Sequence, residues 1–192
     1  MVERIATYLT QLCKKSQPDI DEGYLAVINY GITLVIDCAL KVVLLLIIGA
    51  LEGMVLPMLL FLIVFCSYRV SAGGIHMKTG MGCFMMMFVF AQISLCTEYI
   101  AFYFGIMSVD VSIFIVIMIV QAIVAGILAP CDTPNNPITD IKIRKRKKIQ
   151  SVIVLLLIMV AGLFMYDRYR SIIIGATVCE TITLRKKKGT IA

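Results

Sequence analysis

A thiol and an imidazole lie seven residues apart in this chain. His76, its only histidine, and Cys83 belong to the stretch Arg69-Val70-Ser71-Ala72-Gly73-Gly74-Ile75-His76-Met77-Lys78-Thr79-Gly80-Met81-Gly82-Cys83. An imidazole that takes the proton of a neighbouring thiol leaves a thiolate, and the thiolate is the nucleophile. On a regular helix, residues seven apart share a face but stand about 10 Å apart along the axis, too far for a hydrogen bond. Gly73, Gly74, Gly80 and Gly82 weaken a continuous helix, so a turning segment over residues 69–82 is expected to bring His76 to Cys83. The backbones at Gly73-Gly74 and at Gly80–Gly82 are the candidates to offer N–H groups to a tetrahedral oxyanion. Arg69 and Lys78 are the cations that would favour a thiolate. Ser71 and Asp132 are candidates for a third group orienting His76, and their spacing does not choose between them. Cys131, beside Asp132, is the rival nucleophile, but with one histidine in the chain it would need the same base.

The elements that must position these residues are apolar. Of the 192 residues 60% are hydrophobic and none is tryptophan, and the mean hydropathy is +0.97. A soluble domain carries roughly 45–50% apolar residues, so this is a membrane protein. The net charge of +6 comes from basic residues set in short blocks beside apolar runs. That arrangement is the mark of membrane topology and not of a nucleic-acid surface. Seven cysteines, an odd number without C-x-x-C spacing, argue against a disulfide framework and a structural zinc site. One histidine with scattered cysteines forms no metal-ligand set, and no cofactor is expected.

The fold class is an all-α integral membrane protein. Residues 2–17 carry Ile5, Tyr8, Leu9 and Leu12 on one face, the spacing of an amphipathic helix lying on the lipid surface. About six transmembrane helices follow, at roughly 23–49, 54–68, 83–104, 111–129, 151–166 and 171–184, as a single membrane domain. Asp37 and Lys41, four residues apart inside the first span, are expected to pair. Loops at 69–82 and 130–149 separate the spans. The second holds Pro130, Pro134 and Pro137, then the basic run from Lys142 to Lys148, which would meet lipid headgroups or an acidic ligand. Spans two, five and six are short against the ~20 residues of a crossing helix.

Arg69, the Gly73-Gly74 pair, His76 and Cys83, set between apolar segments, resemble the signature of the accessory gene regulator protein B (AgrB) family. The stretch Ala129-Pro130-Cys131-Asp132-Thr133-Pro134-Asn135-Asn136-Pro137-Ile138 resembles that family's proline-rich second loop. The resemblance implies a membrane-embedded cysteine endopeptidase with His76 and Cys83 as its catalytic pair. It implies as substrate the precursor of a bacterial autoinducing peptide. Cleavage would pass through an acyl-enzyme, which the peptide's own nucleophile resolves into a thiolactone ring. It also implies a homodimer, and that Arg69 holds a carboxylate of the acidic precursor end, as a guanidinium fork suits. A competing class is a small membrane transporter or assembly factor, in which Asp37, Lys41, Glu98 and Glu180 line a pathway.

With both termini cytoplasmic, six spans place fifteen of the eighteen Lys and Arg residues inside. The positive-inside rule favours that orientation in the cell membrane. It sets Arg69, His76, Cys83 and Asp132 on the cytoplasmic side, where thiols stay reduced. Cysteine-accessibility labelling should then find residues 74–82 and 135–148 inside and residue 53 outside. Labelling of 135–148 from the exterior would overturn this topology.

Overall fold

The computed structural model describes residues 2–17, 20–74, 77, 79–103, 109–131 and 140–184. Seven helices account for nearly all of them: α1 (Val2–Ser16), α2 (Glu22–Leu51), α3 (Val55–Ala72), α4 (Gly80–Tyr103), α5 (Val111–Leu128), α6 (Ile141–Leu163) and α7 (Asp167–Thr183). Among the described residues there is no strand, only an isolated bridge between Gly73 and Cys131. The protein is an all-α membrane protein. Where one bundle was expected, the chain forms two compact units, Met1–Leu51 and Glu52–Ala192. The break falls at the Glu52-Gly53 turn, where Gly53 takes a φ of 71° that disfavours other residues.

In the first unit α1 packs along α2. Ala6 is fully buried, Thr10 Oγ1 lies 3.1 Å from Asn29 Oδ1, and Lys14 meets Glu22 at 3.4 Å. The apolar face of α1 stays uncovered, with Ile5, Tyr8, Leu9 and Leu12 all exposed. An amphipathic helix resting on lipid presents such a face. Its thirty residues make α2 about 45 Å long, more than the ~30 Å hydrocarbon thickness. Asp37 and Lys41 form the expected ion pair on it.

The second unit alternates direction. Thr177 Oγ1 lies 3.8 Å from Met118 Sδ and Thr181 Oγ1 lies 3.2 Å from Gln121 Oε1, so α5 and α7 run parallel. Helix α4 runs antiparallel to α7: Ser94 abuts Gly175, and Arg168 Nε donates to Glu98 at 2.8 Å. Helix α6 runs antiparallel to α5, with Gly162 against the Phe114 ring and Gly126 near Val152. The small residues let backbones approach, which is how helices pack in lipid. A Cβ on Gly175 would lie 2.9 Å from the Ser94 Cα.

Four helices, α2 to α5, are long and apolar enough to cross a membrane. Six were expected. The two that fall short do so for different reasons. Helix α7 has only 17 residues, short for a crossing helix, and its polar side chains Thr177, Glu180 and Thr183 are buried against other helices. In α6 the first two turns hold the basic run, and an uninterrupted apolar stretch begins only at Val152.

That basic run corrects the expected loop at 130–149. Asp140 caps α6 by accepting from the Lys142 N–H at 2.7 Å, and Lys and Arg are good helix formers. The loop at 69–82 is shorter than expected too. Helix α3 continues through Ser71 to Ala72, and α4 begins at Gly80. Thr79 supplies the start signal, its hydroxyl accepting from the Gly82 N–H at 3.1 Å. Asp110 caps α5 likewise, and its bonds from Ser112 hold its carboxyl below the ordinary carboxylate range.

Gly175→Ala should lower the thermal midpoint in detergent, because overpacking a closed contact costs about 1–3 kcal/mol. Gly126→Ala should not, since its Cβ would meet only Val152 Cγ2, at 3.8 Å. Equal midpoints for the two variants would refute the α4–α7 close contact.

Candidate active site

The C-terminal ends of α3, α5 and α7 come together at one end of the second unit. Helix α3 stops at Gly73, whose φ of 73° is left-handed and whose N–H donates to the Arg69 carbonyl at 2.9 Å. The chain after α5 passes beside it, and the Cys131 N–H donates to the Ala72 carbonyl at 2.9 Å. A Cβ on Gly73 would stand 2.6 Å from the Cys131 carbonyl oxygen. Gly73 thus serves packing, with its N–H already committed to the helix end. It does not present that N–H to an oxyanion, as the sequence had suggested.

Gly74 faces a different neighbour. A Cβ there would lie 2.6 Å from Glu180 Oε1, 2.7 Å from Thr183 Oγ1 and 3.2 Å from Arg69 Nη1. Arg69 Nη1 donates to Glu180 Oε2 at 2.8 Å, and its guanidinium lies over the Phe65 ring with 5.6 Å to the centroid. The Glu180 side chain is completely buried and that of Arg69 is 14% exposed. One helical position away, the Tyr68 and Thr181 hydroxyls are 3.2 Å apart. Polar groups of α3 and α7 therefore converge on the last turn of α3.

Cys83 occupies the first turn of α4, half-buried, with its N–H bonded to the Thr79 carbonyl at 3.1 Å. The positive end of the helix dipole favours negative charge in that turn. Among the described residues, which include all seven cysteines, there is no disulfide. Ser71 stands in α3 and its hydroxyl donates to the Ser67 carbonyl at 3.3 Å, so its proton is spent on its own helix. His76, Lys78 and Asp132 lie outside the described residues. Among the described residues no cluster of His, Cys, Asp and Glu could hold a metal ion.

The structure thus brings Arg69, Gly73, Gly74 and Cys131 together at one end. It adds Glu180, which sequence reasoning placed only on a possible transport pathway. The signal was present. Arg69 closes one span and Glu180 stands near the close of another, and alternating spans put both at the same membrane level. Arg69, expected to hold a carboxylate of the substrate, already holds one from its own chain.

Residues 2–184 match the family described as Accessory gene regulator B. The Accessory gene regulator protein B of Staphylococcus aureus (strain bovine RF122 / ET3-1) is 24% identical over 183 residues, covering 95% of this chain and 91% of its own. A Putative AgrB-like protein of Clostridium perfringens (strain SM101 / Type A) is 27% identical over 159 residues, covering 81% of this chain and 72% of its own. No solved structure matches the chain. With the match running through every described helix, the chain belongs to the accessory gene regulator B family and has its role in the agr quorum-sensing system.

Proposed function

We propose that this protein is a membrane-embedded cysteine endopeptidase that cleaves the C-terminal part of a quorum-sensing peptide precursor. The observation that carries this reading is the family match over a chain that sets a free, half-buried Cys83 in the first turn of α4, seven residues after its single histidine. His76 takes the Cys83 proton and the thiolate attacks the scissile carbonyl. The tetrahedral intermediate collapses to a thioester, and the released amine takes the proton from His76. The upstream peptide stays on Cys83 until its own thiol attacks the thioester, closes a thiolactone ring and frees the enzyme. A site at the membrane face limits water, which would otherwise hydrolyse the intermediate. The precursor reaches the site from the cytoplasm, and the basic first turns of α6 attract its acidic end. The working unit is a homodimer embedded in lipid.

Cys131 is the control. Its backbone is held against Ala72 and Gly73, so it shares the end of the unit with Arg69. Cys83→Ser keeps size and hydrogen bonding but not the ready thiolate, and it should abolish precursor cleavage with the protein still in the membrane. His76→Ala should cost at least about 100-fold, the lower end of what a general base supplies. Cys131→Ser should retain most activity. A hydroxylamine-sensitive adduct between precursor and enzyme should vanish in Cys83→Ser and persist in Cys131→Ser. An adduct that survives the loss of Cys83 would refute the assignment.

A further inference from the structure

Glu180 has no part in the chemistry just described, yet its surroundings set it apart from the other buried polar groups. It sits on the buried face of α7 with Ile173, Ala176, Thr177 and Thr183, and it is the one acidic side chain there. Its carboxylate is fully buried. One oxygen, Oε2, accepts from Arg69. The other, Oε1, accepts no hydrogen bond from the described residues and lies against the backbone of Gly74, where a Cβ would come within 2.6 Å. Gly74 is the second residue after α3, on the strand of chain that leads to the proposed base and then to Cys83.

A buried ion pair is a poor source of net stability. Apolar residues of similar volume serve a core as well or better, because two desolvated charges regain little more than they lose. A buried carboxylate with one oxygen left unsatisfied is costlier still. Glu98 also leaves one oxygen without a partner among the described residues. Its Arg168, however, is 61% exposed in the first turn of α7, a place where a surface anchor suffices. Around Glu180 both partners are interior, and the guanidinium is also fixed by the Phe65 ring. The arrangement fixes direction: it ties the last turn of α7 to the last turn of α3 and sets a carboxylate edge against the departing backbone.

We infer that Glu180 is a positioning residue for the cysteine chemistry, acting through Arg69 and the backbone of Gly74 to fix the exit of the chain from α3. The inference rests on the proposed Cys83 reaction. Glu180 does not touch substrate. It holds the segment from which the base departs, so its loss displaces the base from the thiol while leaving both in the protein.

The test uses the full-length protein in membrane vesicles and reads alkylation of Cys83 by iodoacetamide against pH, quantified at that residue by mass spectrometry. In the wild-type protein Cys83 should react well below pH 8 in a His76-dependent manner. Glu180→Gln should slow the reaction at pH 7 at least tenfold and move the profile towards that of an ordinary thiol, and Glu180→Asp should restore part of the loss. The double variant Arg69→Met with Glu180→Met removes both charges and keeps the volume, so it tests the role apart from a stranded charge. It too should remain slow. Recovery of the wild-type profile in the double variant, or an unaltered profile in Glu180→Gln, would overturn the inference. A wild-type Cys83 that reacts like any thiol would instead sink the protease reading itself, so the two failures are distinguishable.

Discussion

A carboxylate buried inside a bundle that faces lipid has to be met by a cation, and Glu180 meets Arg69 at 2.8 Å. Losing either partner would strand a charge, at a cost of about 3–5 kcal/mol. That penalty is comparable to much of the stability of a small domain. It forbids α7 from sliding along α3 or turning about its own axis. The neighbouring groups fall into line: Tyr68 reaches Thr181, Thr181 lies beside Gln121, and the chain after α5 bridges to Gly73. The last turns of three helices are registered against one another by a single electrostatic requirement.

The same helix is fixed again at its far end. Arg168, about 18 Å from Glu180 along α7, binds Glu98 of α4 through Nε at 2.8 Å. Between the two ion pairs the packing is close, with Gly175 on Ser94 and Ile173 near Gly162. Lipid tails give no hydrophobic push between helices. Close backbone approach and matched polar groups must hold α7 in the middle, and both are found there. Most large apolar side chains of α2 and α5, by contrast, point outward and are exposed, as Val35, Leu44, Val116 and Ile123 are. In a soluble protein that would be a defect. In a bilayer it is solvation.

Much of this was legible in the sequence. Apolar runs located the spans, the Asp37–Lys41 spacing foretold their pair, and the Gly73-Gly74 break fell where α3 ends. The failures have physical causes. A run of Lys and Arg was taken for loop because charge resembles solvent exposure, yet those side chains favour helix once Asp140 caps it. Gly80 and Gly82 were taken to break a helix, but a first turn tolerates them when Thr79 supplies the cap. The Arg69–Glu180 pair was missed for another reason. The two residues are far apart in sequence, and a charge near a span end satisfies a topology argument without needing a partner. Only asking which buried carboxylate shares its level would have joined them.

The glycines link the fold to the proposed reaction. Passing an acyl group from the thiol of Cys83 to a thiol of the peptide exchanges one thioester for another, so bond energies change little. What decides the outcome is whether the second thiol reaches the carbonyl before water does. A segment that wandered would lose that race, because effective concentration depends on angle as well as distance. At Gly73 and Gly74 the backbone is closer to Cys131 and Glu180 than any side chain would allow, which confines it between α7 and the chain after α5. Glycine, the most permissive residue in isolation, is here a means of restraint. Its missing side chain lets neighbours close in until the backbone has no room to move.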